Sequence, residues 1–189
     1  IFHQNISNKI LKILPFRLTD GQQRTLEEIN SDLNSKNRMF RIMQGDVGSG
    51  KTIVSLLAIA NVIESGYQCA FMGPTEILAY QHYNLAKNIY KKLDIKIEFL
   101  TGKTDRKKKN EILKNLLKGD IDLIIGTHTL FQKKINFKNL GFVVIDEQHK
   151  FGVQQRADLA EKGGTNCDVL LMSATPIPRT MMMSMYGDM

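Results

Sequence analysis

The residues with the most chemical potential lie in one stretch, Gly45-Asp46-Val47-Gly48-Ser49-Gly50-Lys51-Thr52. This is the spacing GxxxxGK[ST]. Its glycines let backbone N–H groups curl around phosphate oxygens. Lys51 brings a point charge to the β- and γ-phosphates, and the Thr52 hydroxyl can ligate Mg²⁺. Gly45, Asp46, Gly48, Ser49, Gly50, Lys51 and Thr52 are therefore the expected nucleotide-binding set. A second stretch, Phe142-Val143-Val144-Ile145-Asp146-Glu147-Gln148-His149, is apolar and ends in two carboxylates. Adjacent acids at a buried strand end are costly unless a cation or a reacting water uses them. Asp146 is placed to share Mg²⁺ with Thr52, and Glu147 to orient the attacking water. Lys51, Asp146 and Glu147 are the expected catalytic residues, with ATP and Mg²⁺ as the cofactors.

Three further groups carry weaker signals. Ser173-Ala174-Thr175 follows an apolar run, and its small hydroxyl side chains could bond the acidic pair and report its state. Read alone the triplet is weak, because Ser and Thr are common in turns. Gln22 could read an adenine edge with its amide or could simply cap a helix. His149 is the one histidine inside a motif, and a coupling role with Ser173 and Thr175 is expected of it. Thr75, Thr101, Gly102 and Thr127 each follow a strand and are expected to expose N–H and hydroxyl groups suited to sequence-independent phosphate contacts. Lys103, Arg106, Lys107, Lys108 and Lys109 form a basic run, either a solvated helix face or a DNA contact, with the first preferred.

These residues need a scaffold that brings strand ends together. Short apolar runs at 39–44, 68–72, 95–100, 123–126, 142–146 and 169–172 alternate with amphipathic stretches. Strands that are apolar throughout and alternate with helices imply a parallel α/β sheet covered on both faces. In such sheets ligands sit at the carboxyl ends of the strands. Helices are expected from a capping box at 19–22, from 51 to 65 before Gly66, from Thr75, and over 105–118 with Ile112, Leu113, Leu116 and Leu117 inward. Residues 1–15 read as a linker or the remnant of a preceding domain, and 16–189 as one lobe.

Composition bounds the rest. Apolar residues are 42% and charged residues 24% of 189, so disorder is not the default reading, and no run approaches the roughly 18–20 apolar residues of a membrane-spanning helix. The net charge of +7 fits a polyanionic partner without specifying one. Cys69 and Cys167 lie far apart with no CxxC, so buried free thiols in a cytoplasmic protein are expected rather than a zinc site.

Taken together the motifs resemble superfamily 2 helicases, whose ATP-binding lobe has a RecA-like fold. GDVGSGKT at 45–52, PTEILA at 74–79, GTH at 126–128, DEQHKFGVQQR at 146–156 and SATPIPRT at 173–180 resemble the RecG family of branch-migration helicases. The likeness spans about residues 14–189. It implies that Gln22 stands in a Q motif and contacts adenine. It implies a monomeric motor on forked or junction DNA, acting in recombination and fork repair. It also implies a second RecA-like lobe with an arginine finger and an upstream wedge domain, neither among these residues. Transcription-repair coupling factors are similar in the GDVG, FGV and ATPIPRT segments. They usually carry DEEH and GFGKT, where this chain has Gln148 and Ser49. DEAD-type RNA helicases are less similar, since the tetrad here is DEQH. Lys150 stands where the family carries arginine, and Tyr80 where it carries an acid. A P-loop ATPase unrelated to DNA translocation would not need the GTH, DEQH and SATPIPRT segments.

Overall fold

Thr19 stops an extended segment by turning its hydroxyl back onto the Gln22 N–H, while the Gln22 side chain accepts from the Thr19 N–H at 2.9 Å. This reciprocal cap starts helix α2, Asp20–Leu33. The computed structural model describes residues 4–35, 37, 39–44, 50–147 and 167–173, with Glu147 described through its backbone. Before α2 lies α1, Asn5–Ile13; after it come β1, Phe40–Gln44, and α3, Lys51–Glu64. Next are β2, Gln68–Met72; α4, Glu76–Ile89; β3, Ile97–Leu100; and α5, Arg106–Lys118. β4, Leu123–Gly126, leads through a short 3-10 turn at His128–Phe131 to β5, Leu140–Glu147, and β6, Asp168–Ser173.

The six strands form one sheet in the order β1-β6-β5-β2-β4-β3, and all five pairings are parallel. Alternate strand residues face opposite ways, which makes two cores. On one face Phe71, Ile125, Val144 and Leu170 pack with Leu26 and Ile29 of α2, Leu56 and Leu57 of α3, and Ile89 of α4. On the other, Met72, Ile124, Ile145 and Leu171 meet Ile112 and Leu116 of α5 and Leu130 of the 3-10 turn. The sheet is thus covered on both sides, as the continuous apolar strands require. A buried amide pair, Asn61 Nδ2 to Asn30 Oδ1 at 2.9 Å, pins α2 to α3. The Tyr90 hydroxyl donates to the Leu56 carbonyl, tying the end of α4 to the same helix.

Residues 5–13 form a helix whose Ile10 is fully buried and whose first N–H donates to Glu64 at 3.0 Å. The structure departs from the sequence reading in two element details. β3 begins at Ile97 rather than 95, because Asp122 takes the Lys96 N–H with its carboxylate at 2.9 Å. On α5, Ile112 and Leu116 are buried but Leu117 is 60% exposed, so the apolar stripe is narrower than four leucine-sized positions imply. Both cysteines are free and buried. Among the described residues no helix is long and apolar enough to cross a membrane.

Candidate nucleotide and nucleic-acid sites

The carboxyl edge of the sheet divides into two halves. On the first, β6 lies between β1 and β5, and Ser173 is in register with Gln44 on one side and Glu147 on the other. Three motifs far apart in sequence thus end in one row. The chain leaves Gln44 into the glycine-rich segment and re-enters description at Gly50, the residue before α3. Gly50 has φ +80°, the left-handed region that glycine adopts without penalty. A Cβ there would lie 1.9 Å from Gln22 Nε2, so the α2 cap reaches the start of α3. Lys51 and Thr52 form the first turn of α3, where backbone N–H groups and the helix dipole favour an anion. The Ser55 hydroxyl bonds the Lys51 carbonyl at 2.9 Å and the Met172 sulfur at 3.1 Å, fixing this turn over β6.

Asp146, one residue before the end of β5, has its side chain 17% exposed, and its Oδ2 lies 2.6 Å from Nε2 of His82 on α4. The imidazole stacks against Phe71 of β2, ring centroids 4.7 Å apart and tilted 30°. The sequence reading did not single out His82. The partners are 64 residues apart, and no spacing rule joins them. A hydroxyl such as that of Thr52 and a carboxylate such as that of Asp146 are hard-oxygen donors of the kind Mg²⁺ takes when phosphates and water complete its shell. The residues present therefore fit the ion. Gln22 is placed as a helix cap and also beside Gly50, so capping and proximity to the nucleotide loop are compatible. Gly45, Asp46, Gly48, Ser49, His149 and Thr175 lie outside the described residues, as does the Glu147 side chain.

The second half of the edge is formed by β2, β4 and β3, and it carries the residues expected to meet nucleic acid. Thr75 caps α4, its hydroxyl accepting from the Leu78 N–H at 3.2 Å. Gly73 lets that helix start close to the sheet, since a Cβ would lie 2.9 Å from the Ala79 backbone. The expectation of exposed hydroxyls is corrected at two positions. Thr101 is buried, donating to Glu76 at 2.8 Å and accepting from the Lys103 N–H at 3.2 Å. Thr127 is also buried, paired with the Thr129 hydroxyl at 3.2 Å. Both are drawn inward because a strand-end hydroxyl in a tight turn satisfies local groups first. Gly102 is exposed. The Thr101 hydrogen bond holds the Glu76 carboxyl below its ordinary range; slight desolvation opposes this, and Lys103 at 3.3 Å adds to it.

In the basic run, Lys108 pairs with Glu98 at 3.3 Å and Lys109 bonds Gln132 at 3.2 Å. The neighbouring Lys134 ammonium holds Lys109 below the usual lysine range, with burial adding to the effect. Tyr80, where the resembling family carries an acid, packs edge-on against Phe99 with ring centroids 5.5 Å apart.

Comparison with known proteins identifies the family and the fold. The profile of the DEAD/DEAH box helicase family matches residues 19–184. An ATP-dependent DNA helicase RecG of Synechocystis sp. is 50% identical over 187 residues, 99% of this chain and 22% of that protein. The RecG of Thermotoga maritima is 50% identical over 184 residues, 97% of this chain and 24% of that protein. This chain therefore spans about a quarter of the length of these relatives. A structure of RecG bound to a three-way DNA junction superimposes with a TM-score of 0.85 at 45% identity, covering 100% of this chain and 25% of that one. A hypothetical ATP-dependent RNA helicase from Sulfolobus tokodaii shares the fold, with a TM-score of 0.67 at 18% identity over 98% of this chain and 54% of its own. The chain therefore belongs to the DEAD/DEAH box helicase family, as a RecA-like lobe similar to that of RecG.

Proposed function

We propose that this chain is the ATP-binding lobe of a motor that remodels forked or junction DNA, and that residues 16–189 make up the lobe. The observation that carries this reading is the row Gln44, Ser173, Glu147 at three adjacent strand ends, next to the first turn of α3. In this reading Gly45, Asp46, Gly48, Ser49, Gly50 and Lys51 hold the phosphates, and Gln22 meets the adenine. Thr52 and Asp146 hold Mg²⁺, which supplies charge neutralisation at the phosphates when bound. Glu147 orients water, and Ser173, Thr175 and His149 couple the acidic pair to lobe movement.

DNA is assigned to the β2-β4-β3 half. Gly102 offers an exposed backbone, and Thr75, Thr101 and Thr127, with their hydroxyls bonded locally, shape the turns around it. Lys109 beside Lys134 is a like-charge pair, which an anion between them would stabilise. Phosphoryl transfer in related P-loop enzymes needs an arginine from across a cleft, worth about 10³–10⁵ in rate. A lobe with one side of the site is therefore expected to bind nucleotide and not to unwind DNA alone.

The test uses the full-length protein that carries this lobe, with ATP hydrolysis measured with and without a model fork. DNA-stimulated hydrolysis, lost in Lys51→Ala, is expected. Hydrolysis indifferent to DNA would remove the motor assignment, and nucleotide affinity unchanged in Lys51→Ala would remove the phosphate site.

A further inference from the structure

The two halves of the strand-end edge meet between β5 and β2, which are paired neighbours. A side-chain hydrogen bond spans that junction at the carboxyl edge: His82 of α4 to Asp146 of β5, 2.6 Å from Nε2 to Oδ2. We infer that His82 is a positioning residue, one that orients Asp146 for Mg²⁺ and makes its orientation depend on the placement of α4. The inference rests on the reading of Asp146 as a Mg²⁺ ligand.

The geometry supports each step. A carboxylate only accepts, so the hydrogen between Nε2 and Oδ2 belongs to the imidazole whenever Asp146 is ionised. A donor fixed on one oxygen leaves the other oriented for a cation or its water. Such outer partners of a metal ligand typically govern affinity by 10–100-fold. His82 is itself held: its ring lies against Phe71, and only 10% of its side chain is exposed. It cannot turn without α4 moving.

α4 is in turn fastened at the nucleic-acid end. Thr75 caps it, and Glu76 in its first turn takes the Thr101 hydroxyl at 2.8 Å and the Lys103 ammonium at 3.3 Å. The close seat over Gly73 leaves no slack at that end. A phosphate that drew Lys103 or the Thr101–Gly102 turn would therefore pull on α4. Two turns on, the same helix carries the imidazole that holds Asp146. α4 becomes a rigid bar with DNA contacts at its start and a hold on the metal ligand in its middle.

The test is ADP binding by the full-length protein, titrated at a series of Mg²⁺ concentrations with and without a DNA fork. Two quantities are read: the half-saturating Mg²⁺, and the factor by which DNA changes ADP affinity. For His82→Ala the half-saturating Mg²⁺ should rise about tenfold, and the DNA factor should fall toward one. His82→Phe keeps a ring over Phe71 and removes the N–H donor, so it should behave like the alanine variant; a packing role alone would leave it like wild type. His82→Gln, which restores a donor, should recover part of both quantities. A cooperative thermal transition establishes that each variant is folded, and the phenylalanine variant serves where alanine does not fold. Unchanged Mg²⁺ dependence and DNA factor in a folded variant without the donor would overturn the inference. Asp146→Asn separates the two levels. If it shifts Mg²⁺ dependence and the His82 variants do not, the fault lies with His82; if it shifts nothing, Asp146 is not the metal ligand and both readings fall.

Discussion

Gly50→Ala should expose how tightly the α2 cap and the nucleotide loop are built into one another. The backbone at Gly50 sits at φ +80°, where an L-residue costs about 1–2 kcal/mol. The new Cβ would also meet Gln22 Nε2 at 1.9 Å and Cδ at 3.0 Å. The amide ends a flexible side chain, so it would swing away rather than stop the chain from folding. Doing so releases the bond from the Thr19 N–H to Gln22 Oε1, now 2.9 Å, and a lost hydrogen bond of this kind costs about 0.5–1.5 kcal/mol. The sum is about 1.5–3.5 kcal/mol, which for a domain of this size lowers Tm by roughly 3–14 °C. The assay is urea denaturation of wild type, Gly50→Ala, Gln22→Ala and the double variant. With Gln22 truncated beforehand, Gly50→Ala should cost only the backbone part, leaving a coupling of about 1 kcal/mol. Calorimetric ADP titration on the same four proteins should show weaker binding wherever Gly50 is replaced. Equal cost of Gly50→Ala in both backgrounds would refute the packing of Gln22 on this turn, and no cost in either would refute the left-handed backbone.

Three other outcomes follow from the same geometry. In the full-length protein Glu147→Gln should keep ATP binding and lower steady-state turnover by orders of magnitude, since the attacking water loses its orienting carboxylate; turnover near wild type would reassign that role. Neutralising Lys107, Lys108 and Lys109 together should flatten the salt dependence of DNA binding measured by fluorescence anisotropy. An unchanged slope would make α5 a solvated face, with Lys108 serving Glu98 alone. Burial raises the Asp122 carboxyl above its ordinary value, the Lys96 N–H opposes this, and nearby Asp94 adds to it. A raised carboxyl favours the protonated form in the folded chain, so stability should fall as pH rises from the ordinary carboxylate pKa through the raised one and level off above it. Asp122→Asn should flatten that part of the curve in pH-dependent thermal melts, while an unaltered curve would place the penalty elsewhere.

What the sequence disclosed and what it withheld differ by the range of the interaction. The alternation of apolar runs and the capping box at Thr19–Gln22 are local, and α2, β1, α3, β2, β4 and α5 lie where their patterns put them, within a residue or two. The parallel sheet follows from continuous burial of strands such as Leu123–Gly126. Strand order was not legible. Nothing in the composition of 168–173 says that it lies between β1 and β5, and that insertion is what brings Ser173 between Gln44 and Glu147. His82 was passed over for a similar reason. On its helix it reads as one more inward position beside Ala79 and Ala86, and its partner is defined only by the β2–β5 pairing. Thr101 and Thr127 were placed correctly at strand ends, but the direction of a hydroxyl depends on Glu76 and Thr129, which periodicity does not locate. The helix at 5–13 was not legible because an isolated short helix is marginal, and this one is held by Ile10 in the core and by Glu64.

The place of β6 also governs when the molecule can become itself. β1 stands at the end of the strand order, and its partner is β6, with Phe40 opposite Val169 and Gln44 opposite Ser173. On the ribosome more than a hundred residues must follow β1 before that partner emerges, several seconds at ordinary elongation rates. Through that interval β2, β4 and β3 can associate, while β1 and the turn that leads into α3 lack the strand that aligns them. The half of the edge assigned to DNA can thus form early, and the half assigned to ATP waits for β6, the last of the described strands to arrive. A nascent lobe of this kind would gain its nucleotide-dependent protection from proteolysis abruptly, at the chain length that releases residue 173.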